Sequence, residues 1–226
     1  MDTMQLAKPL RAALAFRRKT RIRSALNTVK TWPGMKVVDI GCGVDGRSFR
    51  AHADPSWRVT GIDRTGEEVR PDHPNFTFAR GSACDLSIFA DKSFDLAVSV
   101  GMLEHITEPD AFAAACSEIR RVATQWLVIV PWRYAPVEPH YPLPFFGAWP
   151  ERAQIAGARL FNIGGQRRHL AHDPGFLRRQ TVWRTTAEYA AAFPGCRVRL
   201  SGMAETLSIA PAFPRPAPIG MSAMPR

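Results

Sequence analysis

The feature that most constrains the fold of this 226-residue chain is a cluster of glycines directly after a short strand-like run. Residues 35–40 have the composition of a buried strand, and Gly41, Gly43 and Gly46 follow. Glycine adopts positive φ without strain and lets a ligand approach the backbone without meeting a Cβ. Because Arg47–His52 has helical character, the stretch predicts a strand, a tight loop and a helix whose first N–H groups face a nucleotide.

Strand-like and helix-like stretches alternate beyond this point. The strand-like runs are residues 37–40, 58–62, 76–79, 95–100 and 126–130. The clearest helix is Pro109–Val122, since proline suits the first turn of a helix. Alternation of this kind predicts an α/β fold, a doubly wound and mostly parallel sheet with helices on both faces. Right-handed crossovers then bring the carboxyl ends of the strands to one edge, where ligands bind.

Residues 131–150 interrupt the alternation with six prolines and six aromatic residues. Proline at this density excludes a helix or a central strand. A long loop at this edge of a sheet is typical of function, so one interpretation is a lid over a substrate. The other interpretation is a structural flap whose aromatic side chains only close the core. Composition does not choose between them.

The remaining third of the domain is expected to hold short elements. Glu151–Leu160 is predicted to be a helix, Gly164–Arg179 a basic loop, and Thr185–Phe193 a helix that begins at an N-cap. Cys196–Leu200 alternates like a strand, and an antiparallel edge strand is expected near the C-terminus, around Ile219–Ala223.

The first thirty residues differ in charge from the rest. They hold eight lysines and arginines against one acid, Asp2, in a chain whose net charge is +10. Leucines, isoleucine and valine recur there at helical spacing, so residues 1–34 are expected to form a basic helical segment before a single domain at 35–226. Its helix either covers an edge of the cleft or meets an anionic membrane or substrate. Nucleic acid is disfavoured because no zinc spacing or base-reading motif accompanies the charge.

Other sequence features exclude several classes. The four cysteines form no CxxC pair, which is typical of reduced thiols in a cytosolic protein. His169 and His172 have no third ligand type nearby, so no metal site is expected. Apolar runs stay shorter than a membrane span, and the N-terminus lacks an apolar signal region. A cytoplasmic protein, in contact with membrane at most through residues 1–30, is expected.

Four motifs in order resemble those of class I S-adenosylmethionine-dependent methyltransferases. They are Asp39-x-Gly41-x-Gly43 after the first strand, Trp57–Asp63 with its terminal acid, Phe76–Leu86, and Phe94–Ile106 with Leu-Glu-His. Asp45 stands where this family usually has glycine, and Ser82 stands where it commonly has an acid. The resemblance covers residues 35 to 131 well.

The resemblance implies S-adenosyl-L-methionine as cofactor and a set of residues that hold it. These are Asp39, Gly41 and Gly43 of the glycine loop, Asp63, Ser82, Ala83, Asp85 and Met102. Asp63 is expected to grip the ribose diol. Ser82 is expected to accept a hydrogen bond from the adenine amino group, and Asp85 is the alternative acceptor.

Methyl transfer to a hydroxyl needs a group that removes its proton, and histidine is suited to that task. His105, after the fourth strand, and His140, in the proline-rich loop, are the candidate catalytic residues. Glu104 and Glu138 are candidates to orient them. For His105 the alternative role is to fix its loop and back the cofactor.

Two other function classes stay open. The literal Gly-x-Gly-x-x-Gly pattern would suit an NAD(P)-dependent oxidoreductase, although no lysine follows any tyrosine as a short-chain reductase requires. A non-catalytic nucleotide-binding module is the second alternative. The acceptor of a methyltransferase is expected to be a small molecule, sugar or lipid, and nothing in the sequence selects among these or gives the oligomeric state.

Overall fold

The computed structural model describes residues 19–44, 46, 49–65, 75–136, 141, 143–162, 167–173, 175–201 and 206–212. Seven strands occur in these ranges: β1 (Lys36–Ile40), β2 (Arg58–Asp63), β3 (Phe76–Arg80), β4 (Phe94–Val100), β5 (Ala123–Pro131), β6 (Cys196–Ser201) and β7 (Thr206–Pro211). They form one sheet in the order β3-β2-β1-β4-β5-β7-β6. The first five are parallel, and β7 pairs antiparallel with both β5 and β6.

Helices cover both faces of this sheet. Residues 19–26 are helical (α1), and α2 (Pro109–Val122), α3 (Glu151–Leu160), α4 (Arg167–His172), α5 (Phe176–Gln180) and α6 (Thr186–Ala192) follow. The predicted doubly wound, mostly parallel α/β fold is confirmed. So is the N-cap of α6, where the Thr185 hydroxyl accepts the Glu188 amide and the Glu188 carboxylate accepts the Thr185 amide.

Alternation along the central strands divides the core into two layers. In β1, Val37 packs in one layer and Val38 in the other. In β5, Leu127 and Val128 divide in the same way. Both strands are apolar on both faces because helices cover both sides of a parallel sheet. The layer with Val38 is closed by α2 and α6, and the layer with Val37 by α1.

The described end of the basic N-terminal segment packs on the sheet. Ile22 and Ala25 of α1 are buried in the layer with Val37, while Arg23 is exposed. After the helix, the side-chain amide of Gln125 accepts from Lys30 N at 2.9 Å and donates to Lys30 O at 3.1 Å. This holds the segment at the amino end of β5, away from the carboxyl ends of the strands.

Two local expectations were wrong or incomplete. The predicted helix after the glycines is a single 3-10 turn, Arg50–His52, within the described residues of that stretch. Phe49, just before the turn, is buried and stacks on Trp57, and Ala53, just after it, returns to extended backbone. The predicted basic loop over Gly164–Arg179 contains α4 and α5. Their arginines dominate the composition, but Leu170 and Leu177 bury themselves against α3.

At the C-terminal end, β6 confirms the predicted strand at Cys196–Leu200. The antiparallel partner is β7, at Thr206–Pro211, whose residues 206–210 are all buried. The strand expected near Ile219–Ala223 lies outside the described residues. None of the helices in the described ranges has the length and apolar content needed to span a bilayer.

Candidate active site

A cleft of about 260 Å³ lies where the carboxyl ends of β1, β2, β3 and β4 meet. This cofactor cleft is lined by Gly41, Ile62, Asp63, Arg64, Gly81, Ser82, Ala83, Cys84, Met102, His105, Ile106, Thr107, Glu108 and Ala111. Six of the sequence-predicted site residues are therefore brought together from separate parts of the chain. Four neighbouring parallel strands end at this edge, as in other open α/β sheets whose ligands bind there.

The glycine loop lies close to Met102. Gly41 has φ of +78°, and its N–H donates to Ile62 O at 2.8 Å. A Cβ at Gly41 would lie 2.4 Å from Cγ of Met102, whereas Gly43, with φ of +81°, has open space where its Cβ would be. Gly41 is therefore required by both backbone and packing. The open side of Gly43 leaves its backbone accessible to a ligand.

Asp63 is held at the cleft by backbone donors. Its Oδ2 accepts from Gly43 N at 2.9 Å, and its Oδ1 accepts from the amide and the hydroxyl of Thr65, each at 3.0 Å. A carboxylate has about four acceptor positions. A diol that displaced the Thr65 hydroxyl would find one position on each oxygen. Asp63 thus joins the end of β2 to the glycine loop of β1.

Asp39 and Asp85 are placed differently from the other predicted cofactor residues. Asp39 is fully buried within β1 and does not line the cleft. Asp85 is exposed and also lies outside the lining. Hydrogen bonds from the Ser87 side chain and backbone hold the pKa of the Asp85 carboxyl below its usual value. Ser82 and Ala83 do line the cleft, and Ser82 Oγ accepts from Cys84 N at 3.2 Å.

An ion pair on α2 anchors the loop that contains Ser82 and Ala83. Glu118 accepts from Leu86 N at 2.7 Å and pairs with Arg121 at 2.7 Å. Arg121 also donates to the carbonyl oxygens of Leu86 and Phe89, at 2.9 and 2.8 Å. The charge-assisted hydrogen bond from Arg121 is the main reason why the pKa of Glu118 is lowered. The loop is therefore held through one buried backbone amide, that of Leu86, and two backbone carbonyl groups, those of Leu86 and Phe89.

His105 ends a 3-10 turn, Leu103–His105, at the edge of the cleft. Its Nδ1 lies 2.6 Å from the carbonyl oxygen of Gln180. A carbonyl only accepts, so Nδ1 must carry the proton and Nε2 is the basic nitrogen of the ring. The expected orienting residue was Glu104. Glu104 is buried. Burial raises the pKa of Tyr189, and the charge of Glu104 raises it further. The imidazole ring of His105 is held by the carbonyl of Gln180.

Sequence reasoning missed the segment that fixes this turn. Val182 N donates to Glu104 O at 2.8 Å. Arg184, which is 5% exposed, donates to Leu103 O at 3.1 Å and to Ile106 O at 2.7 Å. Its guanidinium lies 3.7 Å from the centre of the Phe112 ring. Nothing in the sequence near residue 184 points to a turn about eighty residues earlier.

Three described aromatic residues of the proline-rich loop, Tyr141, Phe146 and Trp149, pack in a small core of their own. Tyr141 stacks on Phe146 with ring centres 4.6 Å apart, and Trp183 meets both rings edge-on. This third cluster also buries Leu170 and Leu177. His140 and Glu138 lie outside the described residues, so the predicted catalytic role of His140 stays a prediction. Within the described ranges, no group of three potential metal ligands occurs.

A second cavity, of about 470 Å³, lies between the third cluster and the cofactor cleft. It is called the acceptor-side cavity below. Thr107 and Glu108 line both cavities. Arg133, Trp149 and Trp183 line only the second. Neither Thr107 nor Arg133 was singled out from the sequence, because neither belongs to a recognisable motif.

Comparisons with known proteins agree on the type of domain. Residues 38–125 match the family model described as "Methyltransferase domain". The 2-methyl-6-phytyl-1,4-hydroquinone methyltransferase of Synechocystis sp. is 34% identical over 108 residues, which cover 44% of this chain and 33% of that protein. A probable S-adenosylmethionine-dependent methyltransferase of Mycolicibacterium smegmatis is 30% identical over 101 residues, covering 43% and 38%. The chain thus spans about a third of the length of the first relative and 38% of the second.

Solved structures share the fold at low identity. A chain in the complex between the Haloferax volcanii Trm112 methyltransferase activator and a putative methyltransferase has a TM-score of 0.53 at 19% identity, covering 90% of this chain and 94% of that one. A putative S-adenosylmethionine-dependent methyltransferase from Listeria monocytogenes has a TM-score of 0.52 at 15% identity, covering 87% and 97%. Residues 38–125 therefore match a methyltransferase domain, and the chain has the fold of a putative S-adenosylmethionine-dependent methyltransferase, which implies S-adenosyl-L-methionine as cofactor.

Proposed function

We propose that the protein transfers the methyl group of S-adenosylmethionine to a small-molecule, sugar or lipid acceptor. The observation that carries the proposal is the cofactor cleft, which gathers the glycine loop, Asp63, Ser82 and His105 at the carboxyl edge of four parallel strands. The methyltransferase relatives support the reaction type. One of them acts on a hydroquinone, so a ring-bearing acceptor is within the range of the family.

The cleft suits the parts of this cofactor. Asp63 offers a carboxylate to the ribose diol, and the open backbone at Gly43 leaves room for close approach. Ile62, Ile106 and Ala111 supply apolar walls for a flat ring, next to the Ser82 hydroxyl as acceptor for its amino group. Asp39 is buried within β1, so its proposed role is to support the glycine loop through the strand and not to contact the cofactor. Asp85 has less support as the adenine acceptor, because its carboxylate is exposed and engaged by Ser87.

The bound cofactor supplies an electrophilic methyl group. This chain's contribution is to align an acceptor atom in line with that methyl and to exclude water. His105 Nε2 is the proposed base for an acceptor hydroxyl, since Gln180 holds the proton on Nδ1. His140 is a second proposed base. The buried Tyr141 and Phe146 support a structural role for those two aromatic residues of the loop.

Calorimetry with S-adenosylhomocysteine tests the cofactor, and transfer of a labelled methyl group to a metabolite extract tests the reaction. We expect saturable binding of S-adenosylhomocysteine, no comparable binding of NAD, and at least one labelled product. Preference for NAD would contradict the proposal. Tight S-adenosylhomocysteine binding with no labelled product from any extract would favour a non-catalytic binding module.

A partner proposal concerns the basic segment. Contact of residues 1–30 with anionic membrane is supported by their charge and by the exposure of Lys19 and Arg23 in the described part. Deletion of residues 1–18 should abolish co-sedimentation with liposomes that contain anionic lipid. Equal sedimentation of the intact and shortened chains would refute the contact.

A further inference from the structure

We propose that the methyl acceptor carries a planar ring and an anionic group, and that the anionic group pairs with Arg133 in the acceptor-side cavity. This inference rests on the proposed methyl transfer and adds the class of substrate. Three observations support it: the position of that cavity, the lack of an ion pair at Arg133 among the described residues that line it, and the aromatic wall beside Arg133.

The acceptor-side cavity adjoins the cofactor cleft. Thr107 and Glu108 line both spaces, and they follow the turn that contains His105. Arg133 follows the end of β5, so it lies at the same edge of the sheet as the cleft. A molecule in this cavity that reaches past Thr107 therefore arrives at His105 and at the space beside Met102. That is the geometry a methyl acceptor needs.

The cations that line the cavity are not equally available. Arg178 Nε pairs with Glu151 at 2.8 Å, and Arg179 pairs with Asp173. Among the described residues, Arg133 has no ion pair, and its Nε is buried without a hydrogen-bond partner. The carboxylate of Glu188 is close enough to Arg133 for their charges to interact, but its hydrogen bonds come from the amide and hydroxyl of Thr185, at 2.6 and 2.7 Å. A buried donor without a partner is costly, and an anionic ligand would offset that cost.

The wall next to Arg133 is aromatic and tightly packed. A Cβ at Gly147 would lie 2.8 Å from Arg133 O and 3.0 Å from Cδ1 of Trp183. Glycine at this position therefore allows the backbone of Arg133 and the Trp183 ring to lie side by side. Trp183 is held by edge-on contacts with Tyr141 and Phe146, at 5.7 and 5.9 Å between ring centres.

These features together select a kind of ligand. A guanidinium binds carboxylate or phosphate with two parallel hydrogen bonds. Indole rings, here Trp149 and Trp183, favour offset or edge-on contact with another flat ring. Because the Trp183 ring is already ordered by its neighbours, little of its conformational entropy is lost on binding. A neutral, flexible acceptor would use neither feature.

The test compares two fragments of the same ring and nearly the same size, one anionic and one neutral. Calorimetry is done on the full chain with saturating S-adenosylhomocysteine, using 4-hydroxybenzoate and its neutral amide, 4-hydroxybenzamide. We expect the benzoate to bind wild type at least about tenfold more tightly. Arg133→Met should remove this preference. Arg178→Met is the matched control and should keep it, because Arg178 is already paired with Glu151 and its side chain is 71% exposed.

A folding control keeps the test decisive. Arg133→Lys retains the charge without the forked geometry and should keep part of the preference, and melting temperatures identify any variant that fails to fold. Equal binding of both fragments to wild type, binding of neither below about 10 mM, or a preference that survives Arg133→Met would overturn the inference. S-adenosylhomocysteine is titrated first. If it does not bind, the proposed function fails, whereas if it binds without the charge preference, only the acceptor class fails.

Discussion

At the scale of single residues, one carboxylate joins two parts of the cofactor cleft. Asp63 closes the glycine loop through Gly43 and is the proposed ligand of the ribose diol. Asp63→Ala should lower the affinity for S-adenosylhomocysteine by about tenfold or more, because charge-assisted hydrogen bonds are lost. Calorimetry measures this. Asp85→Ala is the matched control, since Asp85 is exposed outside the cleft, and an equal loss there would make Asp85 the adenine acceptor.

The second residue-scale prediction concerns His105. If Nε2 removes the acceptor's proton, His105→Gln should lower turnover by about 10²–10⁴-fold while the affinity for S-adenosylhomocysteine stays nearly unchanged. The rate is measured with the acceptor found by labelled methyl transfer. A variant that loses several degrees of melting temperature but keeps turnover per folded molecule would show that His105 only fixes its turn.

At the scale of elements, α2 holds the loop that lines the cleft. Glu118→Ala removes the acceptor of the fully buried Leu86 N–H, and an unpaired buried amide costs about 1–3 kcal/mol of unfolding free energy. We expect a lower denaturation midpoint together with weaker S-adenosylhomocysteine binding. Asp91→Ala removes the partner of Arg121 whose side chain is 76% exposed, and should change stability by less than about 1 kcal/mol. Unchanged affinity of Glu118→Ala for S-adenosylhomocysteine would show that this anchor does not affect the cofactor cleft.

At the scale of the whole molecule, pH acts from the acid side through three carboxylates. The pKa values of Asp85, Glu118 and Glu188 are lowered, chiefly by hydrogen bonds from Ser87, from Arg121 and from the Thr185 amide respectively. The unfolded chain therefore takes up protons first, so this stability is present above the ordinary pKa of about 4–4.5 and is lost as pH falls below it. Melting temperatures should be flat near neutral pH and fall below about pH 4.5. Glu188→Gln should make that fall shallower, and an unchanged slope would contradict this account.

At alkaline pH, stability is expected to fall because two pKa values are raised in the folded chain, not lowered. Burial raises the pKa of Cys116 to about 12 and also raises the pKa of Tyr189. Above about pH 9 the unfolded chain loses these protons while the folded chain keeps them, so stability should fall as pH rises. Thermal melts from pH 8 to 11 measure the decline. It should be less steep in Cys116→Ala, and an equally steep decline in that variant would assign it to other groups.

How much the sequence predicted depended on the range of the interactions involved. The strand before Gly41, the position of Asp63 at the end of the next strand, and α2 from Pro109 to Val122 were all predicted. Apolar periodicity and end signals are local properties of the chain. The alternation of strands and helices then implied parallel strands with a common carboxyl edge. For that reason the amino-acid sequence alone was enough to place most of the proposed cofactor residues together.

What only the tertiary structure decided comes from residues distant in sequence. Gln180 and Arg184 hold the turn of His105 from 75 to 81 positions away. The strand β7 inserts between β5 and β6, against chain order. The acceptor-side cavity exists because Arg133, Trp149 and Trp183 meet there. Each contact depends on which distant residues the fold brings together, and local patterns in a single sequence do not specify this.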